Sequence, residues 1–146
     1  MVKNFGQLSS GETAHLYSLM TDMLRICVTD FGGTLVSVEV KDKSGEFVDI
    51  TLGYDDVAGY ENDNDCFGFN IGRNANRISN AQFTLNNIKY VLAKNDGENN
   101  LHSGPHLFSK RMWHVTEYRD DSIIFEIESL HLDQGFPGNA KFYIIY

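Results

Sequence analysis

Apolar and polar residues alternate with a period of two along almost the whole chain, and this constrains the fold more than any other feature. Period two marks strands, because successive side chains point to opposite faces of a sheet. In 123–128, Ile123, Phe125 and Ile127 share one face and Ile124, Glu126 and Glu128 the other. In 34–41, Val36, Val38 and Val40 oppose Glu39 and Lys41. Further β-prone runs cover 24–31, 47–53 and 140–146. Residues 81–93 read as a hairpin, with Asn86-Asn87 as its tight turn, since asparagine tolerates positive φ. Residues 112–118 and 122–130 read as a second hairpin, joined by Arg119-Asp120-Asp121. Asp42-Lys43-Ser44-Gly45 has turn chemistry. The one helix-like stretch is 55–60, one short turn with aspartate at its start. Many short strands joined by tight turns predict an all-β antiparallel sandwich or barrel.

A length of 146 residues suits one domain, here 1–146. Hydrophobic residues make up 42% and charged residues 22%, which is enough apolar material for a core. The net charge of -8 argues against nucleic acid and anionic membrane surfaces as partners. Cys27 and Cys66 form neither a disulfide framework nor a zinc spacing, and each reads as a small packed side chain. With no secretory signal or apolar span in view, a cytoplasmic setting is expected. The last strand, 140–146, is apolar and aromatic. Such an edge invites pairing, so either the fold is expected to continue beyond it or another chain to cover it.

Three loops carry the chemistry. The first, 72–78 (GRNANRI), concentrates two arginines and two asparagines, side chains suited to a ligand with many hydroxyls. Composition alone favours the simpler reading, a solvated turn. The second, 95–104 (NDGENNLHSG), presents His102 after Leu101. Histidine serves as acid, base or donor near neutral pH, although a lone histidine is more often structural. His102 and His106 have a helical ligand spacing, but Ser103-Gly104-Pro105 between them forbids the helix. No carboxylate completes a site, so no metal is expected. His15, His114 and His131 read as surface or packed side chains. The third loop, 130–139 (LHLDQGFPGN), carries Asp133 and Gln134 as candidate ligand contacts, although the favoured reading is a rigid turn that simply connects two strands.

In series these loops resemble the aldose 1-epimerase (galactose mutarotase) family. Its pattern is GR-x-x-NRI, an F-T-L hairpin ending in tyrosine, N-x-G-x-N-x-LHGG, a phenylalanine and a tryptophan, then G-F/Y-P-G-N. The matching residues are Gly72-Arg73, Asn76-Arg77-Ile78, Phe83-Thr84-Leu85, Tyr90, Asn95, Gly97, Asn99, Leu101-His102, Phe108, Trp113 and 135–139. Upstream, Phe31-Gly32-Gly33, Asp49 and Leu52-Gly53-Tyr54 are also similar. The resemblance spans nearly the whole chain. It implies a galactose mutarotase-type β-sandwich, of which this chain would be an incomplete, N-terminal half. It implies interconversion of the α and β anomers of free aldohexoses such as galactose and glucose, with no cofactor. By resemblance Arg77 and Asn76 bind sugar hydroxyls, and His102 is both a substrate-binding and a catalytic residue. A base takes the anomeric proton while an acid protonates the ring oxygen. The His102 and Arg77 loops favour the free-sugar branch over relatives acting on sugar phosphates.

The departures are specific. Ser103 stands where the family usually has glycine, which predicts a slightly less tight loop. Leu130, His131 and Leu132 differ from the usual third loop. The family's second histidine, its general acid, and its late glutamate, its general base, have no counterpart in these residues. The chain alone is therefore expected to lack the acid–base pair. The alternative is a non-catalytic carbohydrate-binding or structural half-domain, completed by another chain covering 140–146.

Overall fold

The computed structural model describes residues 1–62 and 65–146. Strands β1 (Val2–Gln7), β2 (Thr13–Met20), β3 (Leu24–Thr29), β4 (Leu35–Lys41) and β5 (Phe47–Asp49) form an antiparallel meander, paired in chain order. Helix α1 (Val57–Asn62) follows. Next come β6 (Arg77–Ile78), β7 (Gln82–Leu85), β8 (Ile88–Val91) and β9 (Asn100–Leu101), then β10 (His114–Tyr118), β11 (Ile123–Ser129) and β12 (Ala140–Ile145). The last three make a second antiparallel sheet, with β11 at its centre. Strands β7 and β8 form a hairpin, and β6 pairs with β9.

The five-stranded sheet carries a buried cluster on each face. On one face Ala14, Leu16 and Val36 pack with Phe5, Phe31 and the α1 residues Val57 and Tyr60. On the other, Leu19 and Val28 meet Ile123, Phe125 and Ile127 of β11, together with Phe108 and Trp113. That second layer is the sandwich core, packed sheet on sheet. Ile123 and Phe125 are fully buried, each worth roughly 1.5–3 kcal/mol of apolar burial. A smaller cluster of Ala81, Leu92 and Phe136 joins the β7–β8 hairpin to the third loop. The architecture is the all-β antiparallel sandwich that the alternation predicts.

Local chemistry sets the turns. Asn86 and Asn87 both take positive φ, at 50° and 60°, in the β7–β8 turn. The Asp42 carboxylate accepts the Ser44 and Glu46 N–H groups at 2.8 and 3.0 Å, closing the turn between β4 and β5. Those bonds to the charged form hold the Asp42 carboxyl below its ordinary value, the Ser44 hydroxyl contributing most. Asp56 accepts the Gly59 N–H at 3.0 Å at the start of α1, the role expected of an aspartate there.

Two strand boundaries differ from expectation. The strand expected over 47–53 ends at Asp49, whose carboxylate takes the Thr51 N–H and hydroxyl at 3.0 and 2.7 Å and turns the chain. The strand expected over 24–31 ends at Thr29, because Thr34 donates its hydroxyl to the Phe31 carbonyl at 2.9 Å across Gly32 and Gly33. Among the described residues, no helix is long and apolar enough to cross a membrane.

Candidate active site

The three polar loops meet at one end of the molecule, and each is fixed by side chains of another. The first two join through the two-residue ladder of β6 and β9, where Arg77 pairs with Leu101 and Ile78 with Asn100. Next to it the regular ladder gives way to one main-chain bond and one bond to a side chain. His102 donates its N–H to the Asn76 carbonyl at 3.0 Å. Asn76 returns its own N–H to Nδ1 of the His102 ring, also at 3.0 Å. A ring nitrogen that accepts an N–H carries no proton, so the neutral ring holds its proton on Nε2. His102 therefore presents an N–H donor on its outer edge.

Arg77 is exposed beside it. Its Nε donates to Asp96 at 2.6 Å, and its NH1 lies 3.5 Å from the Asn76 side-chain oxygen. The expected set of Asn76, Arg77 and His102 is thus brought together on one open surface. Asp96 belongs with them, although nothing in its local sequence signals it. It comes from the tip of the second loop and reaches Arg77 only through the fold.

The asparagines of the second loop are scaffold. Asn95 accepts the Leu101 N–H at 2.7 Å and donates to the Leu101 carbonyl at 2.9 Å, acting as a strand neighbour. Asn99 accepts the Asn80 N–H. Asn100 is fully buried and donates to Ala93 and Gly104. The buried anchor before His102 is Asn100, while Leu101 is half-buried. A Cβ on Gly104 would meet the Asn95 amide nitrogen at 2.2 Å, so a larger residue there would displace the side chain that pairs with Leu101.

The two arginines of the first loop divide the work. Arg73 turns inward and donates to the Ser129 hydroxyl and to the carbonyls of Ser129, Leu130, Pro137 and Gly138, all between 2.8 and 2.9 Å. Burial pulls its guanidinium below the ordinary arginine value, and nearby Asp133 opposes this. Its fork thereby binds the first loop to the third.

Asp133 and Gln134, candidate ligand contacts in the sequence, are also structural. Asp133 pairs with both terminal nitrogens of Arg111 at 2.8 and 3.0 Å and accepts the Ser129 hydroxyl at 2.5 Å. The Arg111 bonds hold the Asp133 carboxyl below its ordinary value. Gln134 accepts the His106 N–H at 2.8 Å. His131 lies at the surface, its Nδ1 accepting the Gly138 N–H at 2.9 Å.

Comparison with known proteins identifies a family. Residues 15–146 match the family model described as aldose 1-epimerase. Over 143 residues, 97% of the chain, it is 36% identical to galactose mutarotase of Bos taurus. It is 35% identical over 114 residues, 78% of the chain, to aldose 1-epimerase of Escherichia coli K12. The chain spans 42% of the length of the first relative and 33% of the second. A solved GalM/aldose epimerase homologue from C. elegans superposes with a TM-score of 0.86 at 30% identity, over 91% of this chain and 41% of that one.

Proposed function

This chain belongs to the aldose 1-epimerase family, and we propose that it binds free aldohexoses such as galactose and glucose and contributes to interconverting their α and β anomers. The juxtaposition of His102 and Arg77 carries the reading. Arg77 offers its terminal nitrogens to sugar hydroxyls, and the Asn76 side chain adds a donor and an acceptor. His102 contacts the ring through its Nε2–H and polarises or orients it, which is its catalytic part. No cofactor enters the reaction. A base takes the anomeric proton, an acid protonates the ring oxygen, the ring opens, and it closes on the other face.

We further infer that residues 1–146 are the N-terminal portion of one sandwich domain and bind sugar without turning it over. The guanidinium of Arg77 is a fixed fork of donors rather than a proton shuttle, and Asp96 is committed to it at 2.6 Å. Positioning without a placed acid and base gives little acceleration. Polarimetry on freshly dissolved α-galactose tests this. Mutarotation at the buffer rate, with galactose shifting the NMR signals of Asn76, Arg77 and His102, is the expected outcome. A rate well above buffer would overturn the inactivity, and unshifted signals would overturn the site.

A second reading, a non-catalytic half-domain completed by another chain, is favoured by the outer edge of β12. Among the described residues β12 pairs only with β11, and its outward face exposes Tyr143 and Ile145. Light scattering separates the readings, since a chain that stays monomeric with this edge open contradicts the second.

A further inference from the structure

Ser103 sits next to His102 and is fully buried. Its φ is 60°, in the left-handed region where glycine is at ease and a side chain is not. Glycine is the residue expected at this place, so the serine needs a reason. Its hydroxyl does two things at once. It accepts the Asn74 N–H at 2.8 Å and donates to the Asn74 carbonyl at 3.0 Å. One side-chain oxygen thereby replaces a pair of ladder bonds.

The result is a clasp of four hydrogen bonds across two consecutive residues of the second loop. Ser103 holds Asn74 by its N–H and carbonyl, and His102 holds Asn76 by the same two groups. Asn76 and His102 also have positive φ, 63° and 55°, so a regular ladder cannot continue here. The two bonds at Asn76 lie near the exposed surface and compete with water. The two at Asn74 are anchored by a hydroxyl that solvent does not reach.

We propose that Ser103 is a positioning residue that holds the 74–76 segment against the second loop, and so fixes the His102 ring as the Nε2–H donor aimed at the sugar. The proposal rests on the sugar-binding reading for its purpose but not for its test. It also reverses the expectation that serine in place of glycine loosens the loop, since the hydroxyl ties the loop shut.

The test compares the 146-residue chain with Ser103→Gly and Ser103→Ala, by amide hydrogen exchange and by nitrogen-15 NMR of the His102 ring. Gly relaxes the backbone and deletes the hydroxyl; Ala deletes the hydroxyl and keeps the strain. Both variants should speed exchange at Asn74 at least tenfold. Both should also turn a single Nε2–H ring signature into a mixture of tautomers. A merely structural role would lower stability without moving the ring signature. Unchanged Asn74 exchange and an unchanged His102 ring in Ser103→Gly would overturn the proposal, whether or not Ser103→Ala folds. Failure of galactose to perturb the wild-type chain would instead count against the sugar-binding reading, and the ring comparison would still decide the role of Ser103.

Discussion

His102 and Asn76 hold each other twice, main chain to main chain at 3.0 Å and main chain to ring nitrogen at 3.0 Å. The ring is thus part of the loop's hydrogen bonding as well as of the proposed sugar site. A substitution at His102 therefore acts on two levels, and they can be separated.

His102→Asn is the informative change. Asparagine tolerates positive φ, and its side-chain oxygen can accept the Asn76 N–H. Stability should change by less than about 1 kcal/mol, the net worth of one such hydrogen bond. The galactose-induced shifts of neighbouring amides should be lost. Urea unfolding and NMR titration of the variant measure the two effects. Unaltered galactose response would remove His102 from the site.

Arg73 should matter for stability far more than Arg77, although both lie in one seven-residue loop. Arg73→Ala removes five hydrogen bonds, to four carbonyls and the Ser129 hydroxyl. Losing hydrogen bonds to a charged, half-buried group should cost about 3 kcal/mol. Lysine cannot reproduce the planar fork, so Arg73→Lys should recover less than half. Arg77→Ala touches an exposed pair worth less than about 1 kcal/mol and should spare the fold while weakening sugar binding. Denaturant midpoints of the three variants check the order.

Acid stability should depend on Asp133. Its carboxyl is held low by the Arg111 hydrogen bonds. A lowered folded value means that the unfolded chain binds the proton more readily. The stabilisation is therefore complete above about pH 4, the ordinary carboxylate value, and is lost as pH falls through the lower folded value. Asp133→Asn should be less stable at pH 7 and show a shallower loss of stability below pH 4. Thermal melts of both proteins from pH 2 to 7 would show it, and parallel acid profiles would contradict it.

How far the sequence could be read depended on how local each determinant was. The alternation of β11 announced its buried face, because Ile123, Phe125 and Ile127 need only their own spacing. Asn86-Asn87 announced a turn because the residues supply the positive φ themselves. Strands β1 and β2 lack such a mark. Polar Lys3, Asn4 and Gln7 interrupt the first, and β2 buries Ala14 and Leu16 on one face and Leu19 on the other. A strand covered on both sides loses its clean alternation.

The site divides the same way. Asn76, Arg77 and His102 were legible through family resemblance, and the fold brings them together. Arg73 sits in the same motif, yet its partners lie 56 to 65 residues away, so its inward turn leaves no local mark. Asp96 and Ser103 are ordinary polar loop residues until the β6–β9 pairing sets them against Arg77 and Asn74. Asp133 and Gln134 looked ready for a ligand because polar side chains beside glycine and proline suit either role. Only their partners Arg111, Ser129 and His106 decide the matter.

The fork of Arg73 also limits how this scaffold can be re-engineered. Four of its five acceptors are carbonyls at the two ends of the third loop. A loop exchanged there as a cassette, whatever its side chains, would have to return its backbone to the same exits. Otherwise it would pull on the strand that leads to Arg77. Libraries aimed at a new sugar preference should therefore randomise within 131–136 and leave both ends of the loop as they are.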